Sequence, residues 1–101
     1  MIVCEFSIVP LGAGESLSSP VSECVRLVEE SGLPYQLTPM GTIVEGGWEE
    51  AMAVVARCHR RMRAKFSRVL TTVRIDDRDA PPGRLRSKVN SVKDKLAQSQ
   101  E

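Results

Sequence analysis

The sequence predicts an α+β fold, βαββαβ, with one additional C-terminal helix. Three observations predict it. Residues 2–9 and 68–76 alternate along the chain with the period of two that a half-buried strand needs. Two longer segments, after Pro20 and from Trp48, repeat apolar residues at helical spacing. Between them, two short β-branched or apolar runs meet across Pro39, Met40 and Gly41, as a hairpin does.

The elements follow in order. Residues 2–9 put Ile2, Cys4, Phe6 and Ile8 on one face and Val3, Glu5, Ser7 and Val9 on the other. Pro10, Gly12 and Gly14 end this strand. Ser19 can cap a helix whose first turn holds Pro20, where a missing N–H matters least. Val21, Cys24, Val25 and Val28 form its apolar stripe, and Gly32 stops it. Residues 35–38 and 42–45 form the hairpin. The helix over 48–65 lines one side with Trp48, Met52, Val55, Cys58 or His59, and Met62. Its acidic start and basic end suit the helix dipole. In the strand over 68–76, Val69, Thr71, Val73 and Ile75 oppose Leu70, Thr72, Arg74 and Asp76. The last helix, 84–98, carries Leu85, Val89, Val92 and Leu96 on one stripe, and 99–101 form a frayed tail.

This order is the split βαβ, or ferredoxin-like, arrangement: four antiparallel strands with two helices on one face. Residues 1–101 are expected to form a single domain, with the first strand and the strand over 68–76 at its centre. The other face, with Val3, Glu5, Ser7, Val9, Leu70, Thr72 and Arg74, is too apolar for a purely solvated surface. A second sheet or a neighbour's C-terminal helix is expected to cover it.

Composition narrows the function. Fourteen basic residues balance thirteen acidic ones, which favours neither nucleic acid nor membrane as a partner. The residues expected on the central strands include one aromatic, Phe6, on the helix-facing side, so a base-stacking surface is disfavoured. Cys4, Cys24 and Cys58 show no CxxC spacing, and a single histidine does not complete a zinc site with them. They read as buried free thiols, which suits the cytoplasm. The N-terminus has no basic segment ahead of an apolar core, and no apolar run approaches the ~20 residues of a membrane span.

Motifs for catalysis are weak. His59 and Cys58 are consecutive on a helix and point apart. LGAGES at 11–16 reads as a glycine turn rather than an anion cradle. The arginines near residues 57–68 read as a solvated helix end. RIDDR at 74–78 fits an ion-pair network as well as a ligand contact.

Four segments together resemble one family: EFSIVPLGAGESLS at 5–18, YQLTPMGTIVEG at 35–46, TTVRIDDR at 71–78 and KVNSVKDKL at 88–96. They resemble the thiamine-binding proteins, small YkoF-like proteins of ferredoxin-like fold, over nearly the whole chain. The resemblance implies a cytoplasmic homo-oligomer, dimer or tetramer, assembled through sheet faces. It also implies binding of thiamine or its hydroxymethylpyrimidine moiety without catalysis, metal or cofactor. Carried onto this chain, Glu45 is the ligand's carboxylate partner and Thr42 and Ser7 supply hydroxyls. Ser16 and Ser18 close over the ligand, and Arg74 bonds a ring nitrogen or orients Glu45. Trp48 is read as a core residue rather than a stacking platform. Two alternatives stand beside this: a regulatory or protein–protein interaction module whose open sheet face serves only assembly, and an enzyme using Glu45 with Arg74.

Overall fold

The protein is described by a computed structural model at residues 1–12, 14, 18–79 and 82–99. Its elements are β1 (Ile2–Leu11), α1 (Ser18–Ser31), β2 (Tyr35–Thr38), β3 (Gly41–Gly46), α2 (Trp48–Lys65), β4 (Arg68–Asp77) and α3 (Arg84–Ser99). The four strands form one antiparallel sheet in the order β2-β3-β1-β4. The ferredoxin-like arrangement and the added helix are both present. The order corrects one expectation: β3 and β1 are central, and β4 lies at an edge, bonded to β1 alone. β3 has no aromatic residue.

Alternation in β1 decides where the core lies. Ile2, Cys4 and Phe6 are buried together with Val44 of β3. From α2 they meet Ala51, Val54, Val55 and Cys58, and from α1 Leu27 and Val28. Burying each of the larger apolar side chains contributes roughly 1.5–3 kcal/mol. Two helix phases differ from expectation. Trp48 has the right phase, but it is the first residue of α2 and stands beyond the buried stretch that begins at Ala51, so it is half exposed. On α1 the buried pair is Leu27 and Val28, whereas Val21 is exposed. The first turn of α1 hangs over a cavity rather than over the sheet. That helix begins at Ser18, one residue before the expected Ser19 cap, with Pro20 still in its first turn.

The opposite sheet face carries Val3, Glu5, Ser7 and Val9 of β1. Across β4 they meet Asp76, Arg74, Thr72 and Leu70 in register. Leu70 is 58 % exposed. After β4 the chain turns back to the sheet at Gly83, and α3 starts there. Only the beginning of α3's apolar stripe is buried: Leu85 is covered, whereas Val89, Val92 and Leu96 are exposed. The molecule measures 52 × 30 × 20 Å with a radius of gyration of 15.5 Å. A compact chain of this length has about 13 Å, so the elongation matches a helix that extends past the sheet.

Candidate functional site

Glu45 is the only buried charged residue among those described, with 1 % of its surface exposed. Its position follows from the strand pairing. On β3 it lies opposite Val3 of β1, on the face away from the helices. Its backbone N–H donates to the Pro34 carbonyl at 3.0 Å, which extends the pairing of β3 just beyond β2. A carboxylate out of water needs donors. One is the Gly83 N–H, which donates to Glu45 Oε1 at 2.7 Å. The Gly83 carbonyl in turn accepts the N–H groups of Arg86 and Ser87, so this residue caps α3. Glu45 therefore ties the start of α3 to the sheet.

Beside Glu45 lies a cavity of about 450 Å³ with a mainly apolar wall. Met1, Leu33 and Leu85 supply apolar surface, and Tyr35, Gln36 and Arg86 supply polar groups. Tyr35 Oη donates to Glu29 at 3.0 Å. That bond to a carboxylate holds the phenol pKa above its usual value, with burial adding to it. The sequence reading missed Gln36, Gly83, Leu85 and Arg86. Their only signal was the turn chemistry of PPG at 81–83 ahead of a helix, which does not say where that helix docks.

The other expected ligand residues lie elsewhere. Thr42 pairs with Phe6 and therefore faces the helices, whereas Ser7 pairs with Thr72. Thr42 and Glu45 are three apart on one strand, and an odd spacing puts them on opposite faces. Thr42 and Ser7 both reach the wall of a second cavity, about 340 Å³, at the hairpin end of the sheet. Val21, Cys24, Leu37 and Met40 complete much of that wall. Thr38, also there, shapes the hairpin: its Oγ1 accepts from the Met40 N–H at 3.2 Å and donates to the Gly41 carbonyl at 3.0 Å. Arg74 lies in a third, shallow depression of about 190 Å³ with Glu5 and Val3, and its guanidinium is 3.6 Å from the Glu5 carboxylate. Ser18 is exposed at the start of α1. Ser16 lies outside the described residues. Within one chain Glu45, the pair Thr42 and Ser7, and Arg74 thus fall in three separate places.

His59 Nδ1 is 2.6 Å from Thr71 Oγ1, so this partly exposed helix residue links α2 to β4. Cys4, Cys24 and Cys58 are free thiols. No group of three or more His, Cys, Asp or Glu among the described residues could hold a metal ion. No described helix is long and apolar enough to cross a membrane.

Comparison with known proteins adds what the geometry does not supply. The family model for thiamine-binding protein matches residues 4–93. The chain belongs to the thiamine-binding protein family. Among its relatives, a UPF0045 protein of Methanothermobacter thermautotrophicus is 41% identical over 100 residues, covering 95% of this chain and all of that one. The UPF0045 protein Mb1933 of Mycobacterium bovis is 38% identical over 92 residues and 90% of each chain. Among solved structures, the hypothetical protein MJ1052 of Methanocaldococcus jannaschii superposes with a TM-score of 0.84 at 27% identity, over 91% of this chain and 95% of that one. A Thermotoga maritima protein described as a candidate thiamine biosynthesis/salvage protein gives 0.74 at 22% identity, over 87% and 97%. That last likeness concerns the fold.

Proposed function

We propose that this family member binds thiamine or its hydroxymethylpyrimidine moiety without chemical conversion, and that Glu45 is the recognition carboxylate. The observation that carries this is a fully buried carboxylate beside a mainly apolar cavity, in a chain of the thiamine-binding family. The aminopyrimidine supplies an exocyclic amine that donates to a carboxylate and ring nitrogens that accept. Gln36 and Arg86, on the same wall, are donors for those nitrogens. Leu33, Leu85 and Met1 offer flat apolar surface to the ring. For thiamine itself, the cationic thiazolium gains from a carboxylate held in a poorly solvated site.

A second location for the same ligand is the Ser7–Thr42 cavity, favoured by the Thr42 hydroxyl on the helix-facing side. There Ser18, at the start of α1, would approach the ligand. Arg74, bridged to Glu5 on the open face, would act only where another subunit meets that face. We also propose that the protein is a homo-oligomer assembled through this face, since Leu70, Val9 and Val3 give it apolar character. Free thiols suit a cytoplasmic setting.

Thermal-shift and calorimetric titrations with thiamine, its phosphates and hydroxymethylpyrimidine test the reading. A rise in melting temperature with ligand concentration is expected by mass action. Glu45→Gln keeps an oxygen that accepts the Gly83 N–H, so the fold is retained while affinity falls roughly tenfold or more. Thr42→Val leaves affinity unchanged. If Thr42→Val weakens binding and Glu45→Gln does not, the site is the second cavity. Absence of any response at millimolar ligand rejects the proposal.

A further inference from the structure

Two of the three cysteines meet between the helices. The Cys58 thiol of α2 donates to the Cys24 carbonyl of α1 at 3.6 Å. The contact brings the Cys58 side chain next to Cys24, across the seam between α1 and α2. The neighbouring Cys58 thiol holds the Cys24 pKa below its usual value against the opposing effect of burial, and Cys24 pushes that of Cys58 upward, with burial adding to the rise. Their accessibility differs as well. Cys58 is completely buried. Cys24 is partly exposed and belongs to the wall of the Ser7–Thr42 cavity, which opens to solvent. The third thiol, Cys4, is completely buried in β1. One reachable, more acidic thiol thus neighbours one protected, protonated thiol whose S–H already bonds the first residue's backbone. Dithiols that are attacked at one sulfur and resolved by the other divide the work in this way.

We propose that Cys24 and Cys58 form an intramolecular disulfide when hydrogen peroxide enters the cavity beside α1. The Cys24 thiolate attacks one peroxide oxygen and the O–O bond breaks. The departing hydroxide takes up a proton and leaves as water, and Cys24 becomes a sulfenic acid. The Cys58 sulfur then attacks the Cys24 sulfur, the S–O bond breaks, and the Cys58 proton leaves with that oxygen as a second water. Two electrons pass from the thiol pair to the peroxide. The product links α1 to α2 and removes a thiol from the cavity wall.

The test uses the full chain, native and reduced, treated with a small excess of hydrogen peroxide. The expected result is a mass loss of about 2 Da, reversed by dithiothreitol. Non-reducing peptide mapping assigns the link to Cys24 and Cys58, while Cys4 stays reduced. In Cys58→Ala and in Cys58→Ser, dimedone traps a sulfenic acid on Cys24. In Cys24→Ala, neither remaining thiol reacts under the same conditions. Oxidation of wild-type Cys24 to a sulfinic acid with Cys58 still free overturns the proposal. So does a disulfide between chains, a link involving Cys4, or no mass change. The wild-type mapping decides the question even where a variant folds poorly.

Discussion

At Gly41 a Cβ atom would stand 2.7 Å from the Phe6 carbonyl oxygen, a backbone atom of the central strand. Nothing flexible can move aside there, so Gly41→Ala must displace β3 from β1 or distort the hairpin. The expected cost is about 1–3 kcal/mol, read as a lower denaturant midpoint. Unchanged stability would show that the hairpin tip shifts freely. The residue scale also explains why Glu45 and Thr42 look alike in sequence and differ in the structure. Both are polar positions in a short strand. Yet one is drawn under the capped start of α3 and the other under the first turn of α1. Their odd spacing was readable from sequence; which face would be covered was not.

At the scale of elements, α1 and α2 are joined on their outer side by Glu23. Its carboxylate is 2.7 Å from Lys65 Nζ and 3.6 Å from Arg61. The Lys65 hydrogen bond is the main cause that holds the Glu23 pKa below its usual value. A carboxylate with a depressed folded pKa contributes stability above its unfolded pKa and loses it as pH falls through the folded value. Glu23→Gln is therefore expected to melt lower than the wild type at neutral pH. The difference should shrink below about pH 4 and in high salt. A gap that persists undiminished at about pH 3 would mean that Glu23 acts through packing instead of charge. Element phases were legible at Val28, Val55, Cys58 and Met62, and the buried Leu27, Ala51 and Val54 beside them lay outside the expected stripes. They failed at Val21 and Trp48, where the right periodicity continues past the end of the surface it would pack on.

For the whole molecule, the exposed Val89, Val92 and Leu96 of α3 and the exposed Leu70 of β4 are apolar surface that a single chain does not bury. The proposed oligomer predicts a light-scattering mass that is a multiple of the 11.1 kDa chain. Leu70→Asp should shift that mass downward while the far-ultraviolet circular dichroism stays the same. A wild-type mass of one chain at micromolar concentration would eliminate assembly through this face.

The sequence by itself determined the order of elements, the hairpin and the composition of both sheet faces, because periodicity and turn chemistry are local properties of the chain. Its four family-like segments also pointed to the family to which the chain belongs. Only the tertiary structure decided that β3 rather than β4 is central, since strand order depends on which edges meet and not on what each strand contains. It alone showed that Glu45 is sealed by Gly83, a residue 38 positions away in sequence. It also brought Cys24 to Cys58 across two helices. Contacts of that range follow from packing the elements together, and no local pattern encodes them.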